Sequence, residues 1–232
     1  MSMAPPNKST LRSLGSIELQ TRRELILARL RDAISSGELA PGTHLAEVEL
    51  SESLGVSRGT LREALRHLQQ DGLLTADARG RLSVRVVSEQ EVDEIFAVRC
   101  ALESLAFRQI CDLPDRSVVI PELQAALGHL KENEGDFVAQ LDADLAFHRR
   151  LCELSGNGTL AHSWQGVSGL ARAAITAAGP QTALHNMAYQ RHLPIVSLLA
   201  AGDIEGGEAF LAQHMSDAAE RIVAQMQRAR SA

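Results

Sequence analysis

Asp144 and His148 stand four residues apart in a stretch of helical periodicity, DADLAFHRR from Asp142 to Arg150. Residues at that spacing share a helix face with Cβ atoms about 5–6 Å apart, so one carboxylate and one imidazole can bind a single cation. His192 and His214 fall on two later predicted helices, and antiparallel helices of a bundle can bring such side chains together in a core. One carboxylate and three neutral imidazoles suit Zn²⁺, with Ni²⁺ or Mn²⁺ as alternatives. The chain holds eight histidines, and a lone helical histidine is ordinarily a surface or satisfied core residue. On residue types alone both readings of Asp144, His148, His192 and His214 stand. Cys152 lies on the same stripe, four residues past His148, either as a soft extra ligand or as a small buried hydrophobe.

A second constellation is cationic. Arg58, Arg62 and Arg66 recur every four residues on one face of a predicted helix whose other face, Leu61, Ala64, Leu65 and Leu68, is apolar. Ser57 is its expected N-cap, with Thr60 in the first turn. Before it, Leu45, Val48 and Leu50 give a shorter helix an apolar side, and Gly55 supplies the turn. Two helices joined in this way make a helix-turn-helix whose second helix can lie in a DNA major groove. Two strands follow, Leu73–Thr75 and Leu82–Val87, around a basic turn from Ala76 to Gly80. Arg79 and Gly80, with Arg81, sit at the tip of this wing, where side chain or backbone can reach phosphates or the minor groove. Arg58 and Arg62, with Ser57 and Thr60, occupy the groove-entering end; an arginine there pairs with guanine or holds a phosphate. An isolated arginine stripe would be a solvated face, but a glycine turn before it and a basic wing after it favour double-stranded DNA.

The elements that must position these residues follow from composition and punctuation. Apolar residues make up 45% of the 232 residues but aromatics only 3%, which favours packed helices over a β-sandwich. Net charge is −6, yet residues 1–87 hold 12 Lys/Arg against 10 Asp/Glu while residues 88–232 hold 11 against 19. That asymmetry points to two domains with different partners. The expected division is a mobile Pro-rich tail over 1–17, a winged helix-turn-helix domain over 18–87 and an all-helical domain over 88–232. In the head a first helix is expected from Glu18 to Ser36, stopped at Gly37. Ser88-x-x-Glu91 reads as a capping box that starts the second domain. Five further helices are expected near 121–133, 136–154, 159–178, 189–202 and 204–228, making a bundle of about six. The fold class is thus mostly α. Three cysteines without a CxxC pair fit reduced thiols in a cytoplasmic protein. No stretch reads as a signal peptide or membrane span.

Residues 19–87 resemble the winged helix-turn-helix of the GntR family of bacterial transcription regulators. The resemblance is carried by Ile34, Gly37, Leu39, Pro41-Gly42, Leu45, Glu47, Leu50, Leu54 to Arg58, Thr60 to Leu65, Leu68 and Gly72-Leu73. It implies DNA contacts from Arg58, Thr60, Arg62 and Gly80. The chain departs from many relatives at Val48, where they carry Arg, and at Gly59. The second half resembles the FCD ligand-binding domain of the FadR subfamily, through Val98-Arg99 with Glu103, Asp144-x-x-x-His148 followed by Asn157, and His192 followed by Leu199-x-x-Gly202-Asp203 and His214. That resemblance implies that Asp144, His148, His192 and His214 are the ligands of a divalent metal and that a small carboxylate effector completes its shell. Arg99 then either holds the effector's carboxylate or pairs with Glu103, and Asn157 either caps a helix or lines the pocket. Arg191 stands where many relatives have Glu, which bears on the surroundings of His192.

The expectation is a homodimeric, effector-controlled DNA-binding regulator rather than an enzyme, acting as a repressor on a pseudo-palindromic operator. A regulator that binds its effector without metal, and a metalloenzyme fused to a DNA-binding head, are the alternatives. No general base is evident beside the four residues to favour the enzyme.

Overall fold

The computed structural model describes residues 22–231. The expected mobile tail and the start of the first helix at Glu18 lie outside the described residues. The head opens with α1 (Arg22–Ser35), followed by α2 (Glu47–Ser53) and α3 (Arg58–Gln70). Leu61, Ala64, Leu65 and Leu68 are essentially inaccessible and meet Ile26, Leu30 and Ile34 of α1 in one core. Burial of such a side chain contributes roughly 1.5–3 kcal/mol, so this face fixes which side of α3 turns outward. Gly55 turns the chain between α2 and α3 with φ +64, a backbone region that a Cβ disfavours.

The wing is shorter than its apolar alternation suggests. β1 (Leu74–Ala76) pairs antiparallel with β2 (Leu82–Val84). Strand pairing stops at Val84, although the Arg85 N–H still donates to the Leu73 carbonyl. The segment before α2 adds a rung that the sequence did not announce: His44 bridges Ser83, and the Leu45 N–H donates to the Leu82 carbonyl at 2.9 Å. The head and wing are thereby tied together.

Ser88 begins the second domain as its residue types suggest. Its hydroxyl accepts from the Glu91 N–H, the Glu91 carboxylate accepts from the Ser88 N–H, and α4 (Glu89–Cys111) follows. The bundle continues with α5 (Val119–Glu132), α6 (Phe137–Leu154), α7 (Gly158–Ala177), α8 (Gly179–Asn186), α9 (Tyr189–Ala201) and α10 (Ile204–Ser231). The short helix α8 was not among the six expected. Gly179-Pro180 does end α7, but Pro180 then sits in the first turn of a new helix, where its missing N–H costs nothing. Helix α9 starts at Tyr189, and Pro194 lies beyond its first turn, inside the helix, where it removes one backbone donor.

The two domains touch where α7 meets the end of α3. At Gly169 the backbone of Asp71 comes so close that a Cβ would lie 1.2 Å from the Asp71 carbonyl oxygen. Beside it, a Cβ on Gly72 would lie 2.7 Å from Leu170. Arg172 of α7 donates to Ser35 at the end of α1 and pairs with Asp142 of α6. Helix α7 is therefore keyed against both α1 and α3.

Candidate metal and DNA-contact sites

Three helices deliver the four donors to one buried point. Asp144 and His148 come from α6, His192 from the first turn of α9 and His214 from the middle of α10. The three imidazoles are buried, with ligand atoms within 4.8 Å of one another. His148 Nε2 lies 3.1 Å from His192 Nε2, and Asp144 Oδ1 lies 3.0 Å from His192 Nε2 and 3.9 Å from His148 Nε2.

The far side of each ring decides what these atoms can do. His148 Nδ1 is 2.5 Å from Glu103 Oε2, and a carboxylate can only accept, so Nδ1 carries the hydrogen. His192 Nδ1 lies 3.0 Å from the Ala188 carbonyl and donates for the same reason. In their neutral forms both Nε2 atoms are bare lone pairs facing each other and Asp144. Three acceptors this close are stable only around positive charge, a proton at the least. His214 Nδ1 is buried without a hydrogen-bond partner. A divalent cation bound by nitrogen at about 2.0–2.1 Å places two ligand nitrogens roughly 3.0–3.4 Å apart, so the 3.1 Å separation of the two Nε2 atoms fits one.

Electrostatics agree with this donor set. Burial pushes His148 below the ordinary imidazole range against the pull of Glu103. Burial, reinforced by His192 and His148, pushes His214 well below it. Neutral rings are what a metal takes. Burial opposes ionisation of Asp144, but His192 at 3.0 Å, His148 and Arg99 outweigh it when the rings carry the proton that a metal would replace, and bring its carboxyl down to about 2. Cys152 is buried and outside the cluster of ligating atoms. Burial pushes its thiol up, as befits a small hydrophobe.

Glu103 is the residue around which the site is wired. Besides His148, it accepts from Arg99 Nε at 3.2 Å and from Trp164 Nε1 at 3.0 Å. Burial opposes its ionisation, yet the facing His148 and the Arg99 guanidinium hold its carboxyl below the usual range. The two sequence readings of Arg99 are both realised in part. Its Nε pairs with Glu103, while its buried Nη2 has no partner and the residue lines the cavity beside Asp144, His148 and His214. Asn157 caps α7 by accepting from the Leu160 N–H, and donates to Gln109; it does not line that cavity. Asn186 does, and nothing in its spacing marks it, because α8 itself was not expected. His192 has a backbone carbonyl as its outer partner, and the neighbouring Arg191 turns toward Asp217 at 3.6 Å.

In the head, Ser57 caps α3: its hydroxyl accepts from the Thr60 N–H at 3.2 Å and lies 2.8 Å from the Thr60 hydroxyl. Arg58, Arg62 and Arg66 are exposed. Arg62 pairs with Glu47 of α2 at 2.6 Å while keeping 65% of its side chain accessible, so it is oriented without being consumed. Arg62, Arg66, Gln69 and Gly80 border a groove of about 300 Å³ between α3 and the wing. The wing tip has an organiser that the sequence reading missed. Asp77 accepts from the backbone N–H groups of Arg79 and Arg81 and from Arg81 Nε. The signal was legible as an Asx turn in Asp77-Ala-Arg-Gly-Arg. It leaves the Arg79 side chain exposed at the tip, next to the Asp77-paired and likewise exposed Arg81. Val48 is 44% exposed on α2.

Residues 22–84 match the bacterial regulatory proteins of the gntR family, and residues 94–217 match the FCD domain. The chain is 39% identical over 106 residues to the uncharacterized HTH-type transcriptional regulator YdhC of Bacillus subtilis, a match spanning 46% of each chain. It is 29% identical over 200 residues, 84% of this chain and 87% of the other, to the "Probable D-xylose utilization operon transcriptional repressor" of Paenarthrobacter nicotinovorans. A crystal structure of a GntR transcriptional regulator from Rhodococcus sp. RHA1 superposes with TM-score 0.72 at 26% identity, over 88% of this chain and 99% of that one. The chain belongs to the GntR family of bacterial transcription regulators, in the FadR-like branch that carries an FCD domain behind its winged helix-turn-helix head.

Proposed function

We propose that this regulator is a homodimeric repressor whose hold on a pseudo-palindromic operator is relaxed by a small carboxylate effector bound at a metal site. The observation that carries the reading is the buried cluster of His148, His192 and His214, with Asp144 against His192. His148 and His192 turn their Nε2 atoms toward each other and Asp144, and Glu103 and the Ala188 carbonyl orient the two rings from behind. These residues would hold a divalent ion, zinc by donor type, which supplies a Lewis-acidic anchor for a carboxylate oxygen. Arg99 Nη2 is the adjacent cationic donor.

Transmission is supported by α7. Trp164 reaches Glu103 inside the site, and Gly169, five residues on, abuts Asp71 at the end of α3. A change in how Glu103, Arg99 and His148 share their hydrogen bonds therefore bears on a helix that also supports the DNA-reading one. The effector must bind the two arrangements with different affinity, and operator binding shifts its affinity in return. Dimerisation is supported by Val98 and Leu105, which lie on one face of α4 at 47% and 42% exposure. In the head, Ser57, Arg58, Thr60, Arg62 and Arg66 would enter the major groove, with Arg79 and Gly80 against the backbone or minor groove.

The test uses tag-free protein reloaded with zinc and the DNA upstream of its own coding sequence. Retardation in a gel at low salt is expected, lost on joint substitution of Arg58 and Arg62 by Ala with folding intact. No retardation would refute the DNA reading. Absence of stoichiometric metal after reloading would refute the ligand assignment and leave the metal-free regulator standing.

A further inference from the structure

The cavity beside the donor cluster is about 20 Å³, room for roughly one water-sized group. Any carboxylic acid larger than formic acid has at least four heavy atoms, so some wall must yield before it enters. Phe96 is held by the Arg99 guanidinium 5.2 Å above its ring, and Ile175 is β-branched and stiff. The remaining large side chains of the wall are Met187 and Met215, 1% and 2% exposed. Methionine is unbranched, with three rotatable bonds, so these two can withdraw without moving a helix. Retraction of one clears about the three atoms beyond its Cβ.

Charge narrows the ligand further. Arg99 Nη2 is the cationic donor of the wall without a partner. The Asp144 carboxylate is already part of the same wall, and the Glu103 carboxylate sits behind it against Arg99 and His148. One carboxylate is welcome there and a second one meets like charge. Asn186 keeps one amide hydrogen beyond the one that it gives to the Ala218 carbonyl, a further donor for an anion.

Resting on the effector reading above, we propose that the effector is a short monocarboxylate of roughly two to four carbons, with Met187 and Met215 as the gate that sets the upper limit. Isothermal titration calorimetry on the zinc-loaded full-length protein with acetate, propionate, butyrate, hexanoate and succinate tests this. Binding is expected for the first three, with hexanoate and succinate weaker than propionate by about tenfold or more. One misplaced methylene in an apolar pocket costs about 10–200-fold. Met215→Ala or Met187→Ala should then raise hexanoate relative to propionate by about tenfold. Wild-type protein that takes hexanoate or succinate as tightly as propionate overturns the proposal, as does a limit unmoved in both folded variants. If no acid binds at all, the carboxylate reading of the site falls first and this proposal with it.

Discussion

Replacing Glu103 by Gln changes one heavy atom and should cost the site its metal. The carboxylate accepts three hydrogen bonds, from His148 Nδ1, Arg99 Nε and Trp164 Nε1. Glutamine has one acceptor oxygen and one donor amide. If the amide nitrogen faces His148, it can be satisfied only by an acceptor Nδ1. The ring proton then moves to Nε2, the atom that faces the donor cluster. If the amide nitrogen faces the other way, it meets the N–H groups of Arg99 and Trp164 head on. In both orientations the Arg99 guanidinium, 2% exposed, loses its counter-charge. Removing an outer partner of a ligating histidine weakens metal binding about 10–100-fold, and unpairing a buried charge destabilises by about 3–5 kcal/mol. Competition with a chromophoric chelator reads the first, and denaturant unfolding of the metal-free protein reads the second. Trp164→Phe removes one neutral donor to the carboxylate, about 1.5–3 kcal/mol, and leaves a small cavity that adds to the cost, but it should leave His148 oriented. A Gln variant that holds zinc within about threefold of wild type would show that Glu103 does not set the state of His148, and the wiring argued from it would be wrong.

Other perturbations address the remaining joints. Gly169→Ala forces α7 and the end of α3 apart, at roughly 1–3 kcal/mol for overpacking. Its operator affinity should become insensitive to effector while zinc content stays stoichiometric, and unchanged effector response would exclude the contact as a coupling point. The metal-free protein should lose stability as pH falls below about 6.5, because unfolded His148 and His214 take up protons that the folded sites resist. A second loss should follow between pH 3.8 and about 2 as Asp144 protonates. Urea midpoints across this range check both, and a stability that rises on acidification to pH 5 would contradict the burial of neutral rings.

The sequence disclosed what depends on period and punctuation. Leu61, Ala64, Leu65 and Leu68 announced the inner face of α3, and Ser88-x-x-Glu91 announced the start of α4, because both are local rules written in a few adjacent residues. The histidines were harder. Their spacing places Asp144 with His148, but only the packing of α6, α9 and α10 brings His192 and His214 to them, and helix packing is not local. Glu103 was visible only as a partner four residues from Arg99. Its bond to His148 spans 45 residues and that to Trp164 spans 61, so no periodicity could reveal it as the hub. Asn186 was hidden more completely, since Gly179-Pro180 reads as an ending and the following helix is only eight residues long.

Gly169 shows why such non-local facts bear on function. In isolation it is a weak point inside a helix, about 1 kcal/mol worse than Ala, and helical propensity gives no reason for it. The structure supplies one: a side chain there has no space against the Asp71 carbonyl. The same helix spends its one tryptophan on Glu103 and its Arg172 on Ser35 and Asp142. A helix held at Trp164 on one side and at Gly169 and Arg172 on the other accommodates a shift at one contact poorly by local relaxation, because packed interiors deform little. Its rearrangement is then shared with the head. On the proposed function, that makes α7, rather than the single crossing of the chain at Ser88, the element through which the acidic bundle would act on the basic DNA-reading surface.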